Sequence, residues 1–205
     1  MLAAPHADQV RVWDLFVRLF HWSNATLFAA AYLTGEFKAN EIHVLAGYAI
    51  GILLVMRLVW GVVGTPYARF ASFTFGPAET LRYARASMRG HPPHYLGHNP
   101  LGALMVFLLL AMLAGIVVTG LIIDGAIEFE GPLLGITGSM TDAQAYAVKR
   151  LHETLATITL GLVVLHVLGA LVAGILHREN LIRSMFTGLK NHPAQPGPRP
   201  DQERS

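Results

Sequence analysis

Four histidines of this chain lie inside or at the edge of long apolar segments, where an imidazole is costly to bury. They are His21, His43, His152 and His166. An ionisable side chain in a membrane-length apolar segment is by default a candidate functional residue. Because a neutral imidazole nitrogen is among the commonest metal ligands in proteins, these residue types indicate metal ligation. The positions of the four histidines along their helices decide which kind of metal site they can form.

Composition indicates that those elements are membrane spans. Of the 205 residues, 53% are hydrophobic and 14% are charged, whereas a soluble domain carries about 25% charged residues. The chain has no cysteine, which excludes disulfides, thiolate-bound iron–sulfur clusters and covalent haem attachment through Cys-x-x-Cys-His. The basic residues are spread along loops rather than clustered with aromatic residues, so a membrane explains the isoelectric point near 9.1 better than nucleic acid does.

Four segments have the roughly 20 mostly apolar residues that a membrane span needs. We therefore predict an all-α fold, a four-helix transmembrane bundle that forms one domain over residues 1–190. Residues 191–205, rich in Pro, Gly and charge, are predicted to be a disordered tail. The start of the chain has no apolar core, so we expect no cleavable signal peptide. The predicted spans are residues 15–33, 42–63, 101–123 and 155–176.

The distribution of Lys and Arg predicts the orientation of the spans. Twelve of these residues lie in the N-terminal segment, at the end of the second span, in the loop after it and in the tail. Because cytoplasmic loops carry the excess of Lys and Arg, both termini are expected in the cytoplasm. We expect a multi-pass protein of the bacterial inner (plasma) membrane. The three basic residues on the other side are Lys38, Lys149 and Arg150.

Two loops are expected to contain helices. Residues 76–89 begin with Pro77 in a first-turn position and alternate apolar and arginine stripes. This pattern suits a helix lying on the inner leaflet, and a solvated helix is the alternative. The outward loop, residues 124–150, is net acidic, and Thr141 with Gln144 forms a capping box. The helix that starts there should run unbroken into the fourth span, as a periplasmic extension.

Orientation pairs the four histidines by depth. His43 and His152 fall near the periplasmic side, and His21 and His166 lie deeper toward the cytoplasm. His152 and His166 are 14 residues apart, so both project from one face of the fourth helix, about 21 Å apart along its axis. This separation fits two cofactors stacked in a hydrocarbon core about 30 Å thick. The two pairs therefore predict two non-covalently bound, bis-histidine haems.

Small and cationic residues near the histidines have two interpretations each. Gly47 and Gly51 share the face of the histidine that opens the second span, so they could leave room for a macrocycle or serve as helix contacts. Arg18 and Arg57 lie near the inner pair and could neutralise a haem propionate, and Arg150 could serve the outer haem. For Arg18 and Arg150 the alternative is contact with lipid headgroups.

Other metal chemistry fits the sequence poorly. A di-iron bundle needs several inward glutamates, which these spans lack. Pairs of histidines about 21 Å apart cannot form one tetrahedral zinc site. No Ser–His–Asp set or Gly-rich phosphate loop is present to indicate a hydrolase or a nucleotide site. His91, His94 and His98, in the loop after the second span, are predicted to be surface residues, with a quinone pocket as the alternative for His98.

The segments that carry the histidines resemble the prokaryotic cytochrome b561 family, which includes b-type subunits of nickel hydrogenases. The resemblance is carried by Val10–Trp22 with its Arg-x-x-His-Trp motif, by Ile42-His43, and by Leu151–Glu153 followed by His166. It covers roughly residues 10–177.

This resemblance implies a four-helix membrane bundle that binds two b haems. It implies that His21 and His166 ligate one haem, and that His43 and His152 ligate the other. It also implies electron transfer between a membrane quinone and a partner.

We therefore expect a di-haem cytochrome b that passes electrons between the quinone pool and a periplasmic redox protein such as a c-type cytochrome. The acidic outer loop, with Glu128 and Glu130, would attract a basic partner. The alternatives are a superoxide:quinone oxidoreductase, the membrane anchor of a hydrogenase or dehydrogenase, and a transporter or scaffold with structural histidines. The superoxide reaction would need an open, positively charged surface leading to the outer haem, for which Lys38, Lys149 and Arg150 are the candidates.

Overall fold

The computed structural model describes residues 9–37, 39–177 and 179–191. Lys38, Arg178 and the part of the predicted tail from residue 192 onward lie outside the described residues. The helices are α1 (Leu15–Glu36), α2 (Asn40–Val63), α3 (Pro77–Met88), α4 (Pro100–Ile123), α5 (Leu134–Thr137), α6 (Asp142–His177) and α7 (Leu181–Thr187). A 3-10 turn covers Phe70–Ser72, a π-helical turn covers Asp124–Glu128, and two short strands are β1 (Gln9–Arg11) and β2 (Leu189–Asn191).

Three helices are long and apolar enough to cross a membrane. They are α2, α4 with its π-helical extension, and α6. The 22-residue α1 carries Arg18, His21 and Asn24 within its first ten residues and is not among the three. The helical, membrane-spanning character that the composition predicts is therefore confirmed.

The predicted helix starts are present. Pro77 is the first residue of α3. At the start of α6, the Thr141 amide donates to Gln144 Oε1 at 3.0 Å and the Gln144 amide donates to Thr141 Oγ1 at 3.4 Å. From there α6 runs unbroken for 36 residues, which is about 54 Å of helix. Because the hydrocarbon core is only about 30 Å thick, α6 must project beyond it.

The long helices pack against one another in chain order. The helix pairs α1–α2, α2–α4 and α4–α6 make the closest contacts. Ile50 and Leu54 of α2 pack against Leu110 and Leu113 of α4 in one buried cluster. The closest contacts of α6 are with α4, so α1 and α2 face α6 mainly through side chains.

One end of the bundle gathers the N-terminal segment, the loop after α2 and the C-terminal segment. We call residues 9–14, 64–99 and 179–191 the basic end. Strands β1 and β2 pair antiparallel there, with Gln9 opposite Asn191, the first residue of the predicted tail. The amides of Val12 and Trp13 both donate to the Gly188 carbonyl, at 2.9 and 3.1 Å. Gly188 has φ +81°, a conformation that favours glycine.

Helix α3 buries a different face from its predicted apolar stripe. Tyr83 is the buried residue of α3. Leu81 and Met88 are 51% and 83% exposed, on the same open side as Arg85. Large apolar side chains beside arginines are typical of a helix at a membrane surface, so the structure supports the interfacial interpretation over the solvated one.

Candidate functional site

The four histidines meet in two pairs, each of which includes one histidine of α6. The ring centroids of His21, on α1, and His166, on α6, are 6.2 Å apart. Those of His43, on α2, and His152, on α6, are 6.0 Å apart. The structure thus juxtaposes the residues that the depth argument pairs, at two levels along one helix.

The spacing within each pair suits two axial imidazoles on one iron. Each ring would contribute a metal–nitrogen bond of about 2 Å and about 1.1 Å from nitrogen to ring centre, so two rings on opposite sides of one metal ion have centroids about 6.2 Å apart. Both observed distances lie close to this value. Among the described residues, no group of three or more His, Cys, Asp or Glu could hold a metal ion. The pairs therefore fit a bis-histidine haem, and zinc or di-iron sites with three or more protein ligands find no support.

Hydrogen bonds orient both rings of the outer pair. His43 Nδ1 lies 2.8 Å from the Ala31 carbonyl, and His152 Nδ1 lies 3.1 Å from the Ile116 carbonyl. Because a carbonyl only accepts, Nδ1 of each ring carries the proton and Nε2 is free to ligate iron. Thr119 Oγ1 lies 3.0 Å from the same nitrogen of His152. The sequence could not indicate the two carbonyl partners, because every residue has a backbone carbonyl group and residue type does not distinguish them.

The inner pair has polar neighbours that lack partners. His21 Nδ1 is buried with no hydrogen-bond partner among the described residues, and so is Asn24 Oδ1. Arg18 donates through Nη2 to the Phe186 carbonyl, whereas its buried Nε has no such partner. The ring of Trp22 stacks on Phe186 at 4.3 Å, which ties the start of α1 to α7. Arg18 thus points to the C-terminal segment and not to open solvent.

Arg57 is a buried cation near the end of α2. Its side chain is 3% exposed. Nη2 donates to the Ala68 carbonyl at 3.1 Å, and the guanidinium lies 4.8 Å from the centre of the Phe70 ring. Its buried Nη1 has no partner among the described residues. This residue is therefore held inside the protein with one donor group unused.

The two glycines of α2 have different surroundings. A Cβ added to Gly51 would lie 3.1 Å from Val117 Cγ1 of α4, so Gly51 serves close helix contact. A Cβ added to Gly47 would meet no atom within 4 Å. Gly47 follows His43 by one turn on the same face, so of the two it is the one that leaves space beside the outer pair.

The prediction that His98 lies at the surface is wrong. Its ring centroid is 4.7 Å from that of Trp13 and 4.4 Å from that of Phe73. Burial lowers the pKa of His98 to about 3, and the nearby positive charge of Arg57 adds to this effect. The contact with Trp13 spans 85 positions in the chain, so no local pattern could reveal it. His91 and His94 are exposed, as predicted.

The opposite end of the bundle, residues 124–141, carries fewer surface charges than its composition suggests. We call it the acidic end. Asp124 is buried and accepts a hydrogen bond from Tyr48 Oη at 2.5 Å. Glu128 and Glu130 are exposed, and between them Phe129 is 63% exposed with φ +55°. Asp124 therefore adds to the net charge of this loop but is not part of its exposed acidic surface.

The cations predicted near the outer haem lie on the exposed side of α6. Lys149 Nζ forms an ion pair with Glu153 at 2.6 Å. Arg150 is exposed and lines a shallow surface depression with Glu153, Thr154, Thr157 and Ile158. Among the described residues, the hydrogen bonds of the outer histidine pair go to Ala31, Ile116 and Thr119, and not to either cation.

Comparison with known proteins identifies the family of the chain. The model of one family, prokaryotic cytochrome b561, matches residues 12–188. A probable Ni/Fe-hydrogenase B-type cytochrome subunit from Rhizobium leguminosarum bv. viciae is 25% identical, with 90% of each chain covered. One of the same name from Cupriavidus necator is also 25% identical, with 87% of this chain and 86% of that protein covered. No solved structure matches. With histidine pairs spaced for haem between long apolar helices, and a family match over most of its length, the chain belongs to the prokaryotic cytochrome b561 family of membrane b-type cytochromes.

Proposed function

We propose that this protein is a di-haem electron-transfer cytochrome, in which His21 and His166 ligate the inner haem and His43 and His152 the outer one. The observation that carries the proposal is the pair of ring separations, 6.2 and 6.0 Å, between residues far apart in sequence. When bound, haem supplies the reversible one-electron chemistry of its iron. The chain supplies axial ligands, spacing along α6 and a low-dielectric enclosure.

Residues around the pairs are proposed to complete the two haem sites. Gly47 leaves room beside the outer pair, and Gly51 acts by bringing α2 close to α4. Arg18 and Arg57 have unused donors on the side of the bundle that holds the inner pair, so they are proposed partners of its propionates.

The proposed topology places α1 as a fourth span, with both termini on the cytoplasmic side of the bacterial inner membrane. Support comes from the 22-residue length of α1 and its packing against α2. The N-terminal segment, the loop after α2 and the C-terminal segment all meet at the basic end. This shared position agrees with the side that the positive-inside rule selects.

The proposed electron path runs between membrane quinone and a redox protein at the acidic end. The names of the relatives support a nickel–iron hydrogenase as that partner, and a c-type cytochrome is the second candidate. A stand-alone superoxide:quinone oxidoreductase is less favoured, because Lys149 is paired with Glu153, which offsets its positive charge. The exposed Glu128, Phe129 and Glu130 offer charge and apolar surface for docking.

The test is haem stoichiometry in the purified full-length protein. We expect two b haems per chain, visible as a b-type band in the reduced-minus-oxidised spectrum. His166→Ala and His152→Ala should each lower the ratio to about one or less, because each removes an axial ligand from a different haem. His91→Ala, in the exposed loop, is the control and should retain two.

A ratio of one in the unaltered protein, or two haems retained in either ligand variant, would contradict the proposed ligand set. A protein without a b-type band would point to a transporter or scaffold instead.

A further inference from the structure

Unpartnered polar atoms concentrate on the side of the bundle that holds the inner pair. Among the described residues, five buried side-chain atoms have no hydrogen-bond partner. Buried polar groups in folded proteins are nearly always hydrogen-bonded, so a cluster of exceptions indicates a ligand. The five atoms are Arg18 Nε, His21 Nδ1, Asn24 Oδ1, Arg57 Nη1 and His98 Nδ1.

Arg57 needs an anion. It is almost fully buried, and none of the ion pairs among the described residues includes it. A buried cation is strongly disfavoured unless it is paired. The three carboxylates of the basic end have other hydrogen-bond or ion-pair partners. Asp14 accepts from Val17, Trp60 and Thr65, Glu79 accepts from Tyr95, and Glu179 pairs with His94 and Lys190. Among the described residues, none of these carboxylates forms an ion pair with the Arg57 guanidinium.

His98 offers a second buried nitrogen without a hydrogen-bond partner among the described residues, its Nδ1 atom. Burial keeps its imidazole neutral, and the charges of Arg57, Lys190 and His166 are close enough to oppose its protonation further. A neutral imidazole with a proton on Nδ1 is a hydrogen-bond donor. The rings of Trp13 and Phe73 hold it in one orientation. His98 is thus a fixed, neutral donor near both Arg57 and a ligand of the inner haem.

We propose that Arg57 Nη1 and His98 Nδ1 form one carboxylate-binding site, and that a propionate of the inner haem occupies it. This inference rests on the proposed function, since it requires a haem between His21 and His166. A propionate accepts hydrogen bonds from both donors and neutralises the guanidinium. A quinone carbonyl would accept the hydrogen bonds but leave the buried charge unpaired, so the propionate is the better ligand.

The test is a redox titration of the purified holoprotein carrying His98→Leu, His98→Gln or Arg57→Met. Loss of a donor exposes the negative charge of the propionate and favours ferric iron. We expect His98→Leu and Arg57→Met to shift the reduction equilibrium of one haem about tenfold toward the oxidised form, about 59 mV for a one-electron couple. The other haem should not move. His98→Gln, whose amide can donate, should bring the potential most of the way back to that of the unaltered protein, and His91→Leu is the exposed control.

The outcomes separate this inference from the proposed function. A haem ratio other than two in the unaltered protein would refute the function itself. Two haems with both potentials unmoved in His98→Leu would refute the carboxylate site alone. Unmoved potentials with slower haem reduction by quinol would overturn it in favour of a quinone contact. If Arg57→Met does not fold, the comparison of His98→Leu with His98→Gln decides.

Discussion

At the scale of single residues, residues of the same type that lie close together in the chain have different surroundings in the structure. Gly47 and Gly51 lie one turn apart on α2, yet only Gly51 meets a neighbouring helix through Val117. His91 and His98 lie in one loop, yet only His98 is enclosed, between Trp13 and Phe73. Residue type therefore indicated the candidate site residues, and their packing in the structure showed which of them have surroundings that suit a site.

Gly47 provides a prediction at this scale. Gly47→Leu should lower haem content from two to about one, because the new side chain would enter the space beside the outer pair. Gly161→Leu is the matched control, since Gly161 also has open space around it but lies on the exposed side of α6. Haem-to-protein ratios of the two variants check this. Equal haem content in both would show that Gly47 does not border the cofactor.

At the scale of elements, the start of α1 is fixed by Asp14. Its side chain accepts from the Val17 amide at 2.8 Å, as an N-cap. It also accepts from Trp60 Nε1 at 3.0 Å and from Thr65 Oγ1 at 2.5 Å. One carboxylate thus caps α1 and joins it to the end of α2. This junction fixes the start of α1, the helix that carries His21, against the end of α2.

Substitution of Asp14 should weaken this junction. Asp14→Ala removes a cap, which costs about 1 kcal/mol of unfolding free energy, and leaves the donors of Trp60 and Thr65 unpaired, at about 1–3 kcal/mol more. Asp14→Asn still caps and should cost less. Thermal unfolding followed by haem absorbance checks the order, and equal loss in both variants would contradict it.

The same carboxylate predicts a response to acid. Burial raises the pKa of Asp14, but the hydrogen bonds from Thr65, Val17 and Trp60 lower it more, so its pKa lies below 3.8 in the folded protein. Its contribution is therefore fully present above pH about 4 and is lost as pH falls through the folded value. Below pH about 4, the unfolding free energy of the wild type should fall more steeply with decreasing pH than that of Asp14→Asn. Parallel pH profiles would count against this.

At the scale of the whole molecule, the two ends of the bundle differ in charge and in construction. The basic end is closed by the β1–β2 pair and by the stacking of Trp22 on Phe186. The acidic end presents Glu128, Phe129 and Glu130. An apolar residue flanked by exposed carboxylates suits a partner with a basic rim and an apolar centre, the usual anatomy of a protein interface.

Charge reversal at the acidic end tests this arrangement. Glu128→Lys with Glu130→Lys should slow electron transfer to a basic redox partner about tenfold or more at low salt and flatten its salt dependence, because long-range attraction is lost. Asp142→Lys, an exposed acidic residue at the start of α6, is the comparison variant. Stopped-flow haem oxidation at several ionic strengths measures the effect. If the double variant behaves like the wild type, the partner does not dock on this segment.

Much of the architecture was predictable because it depends on local patterns. The 14-residue interval placed His152 and His166 on one face of α6, and the Thr141–Gln144 box marked its start. The placements of His98 and Asp124 were not predictable in this way. Each depends on a partner more than 75 positions away, Trp13 in one case and Tyr48 in the other.

The sequence by itself determined the membrane class, the spacing of histidines along α6 and the pairing of depths, since hydropathy, helical period and loop charge are local properties of the chain. Only the tertiary structure decided which buried groups are satisfied and which are not. Among the described residues, Arg57 Nη1 and His98 Nδ1 are buried without a hydrogen-bond partner, whereas Asp124 accepts a hydrogen bond from Tyr48. Hydrogen bonds and burial depend on what the folded chain brings together, and that information exists only once the helices are packed.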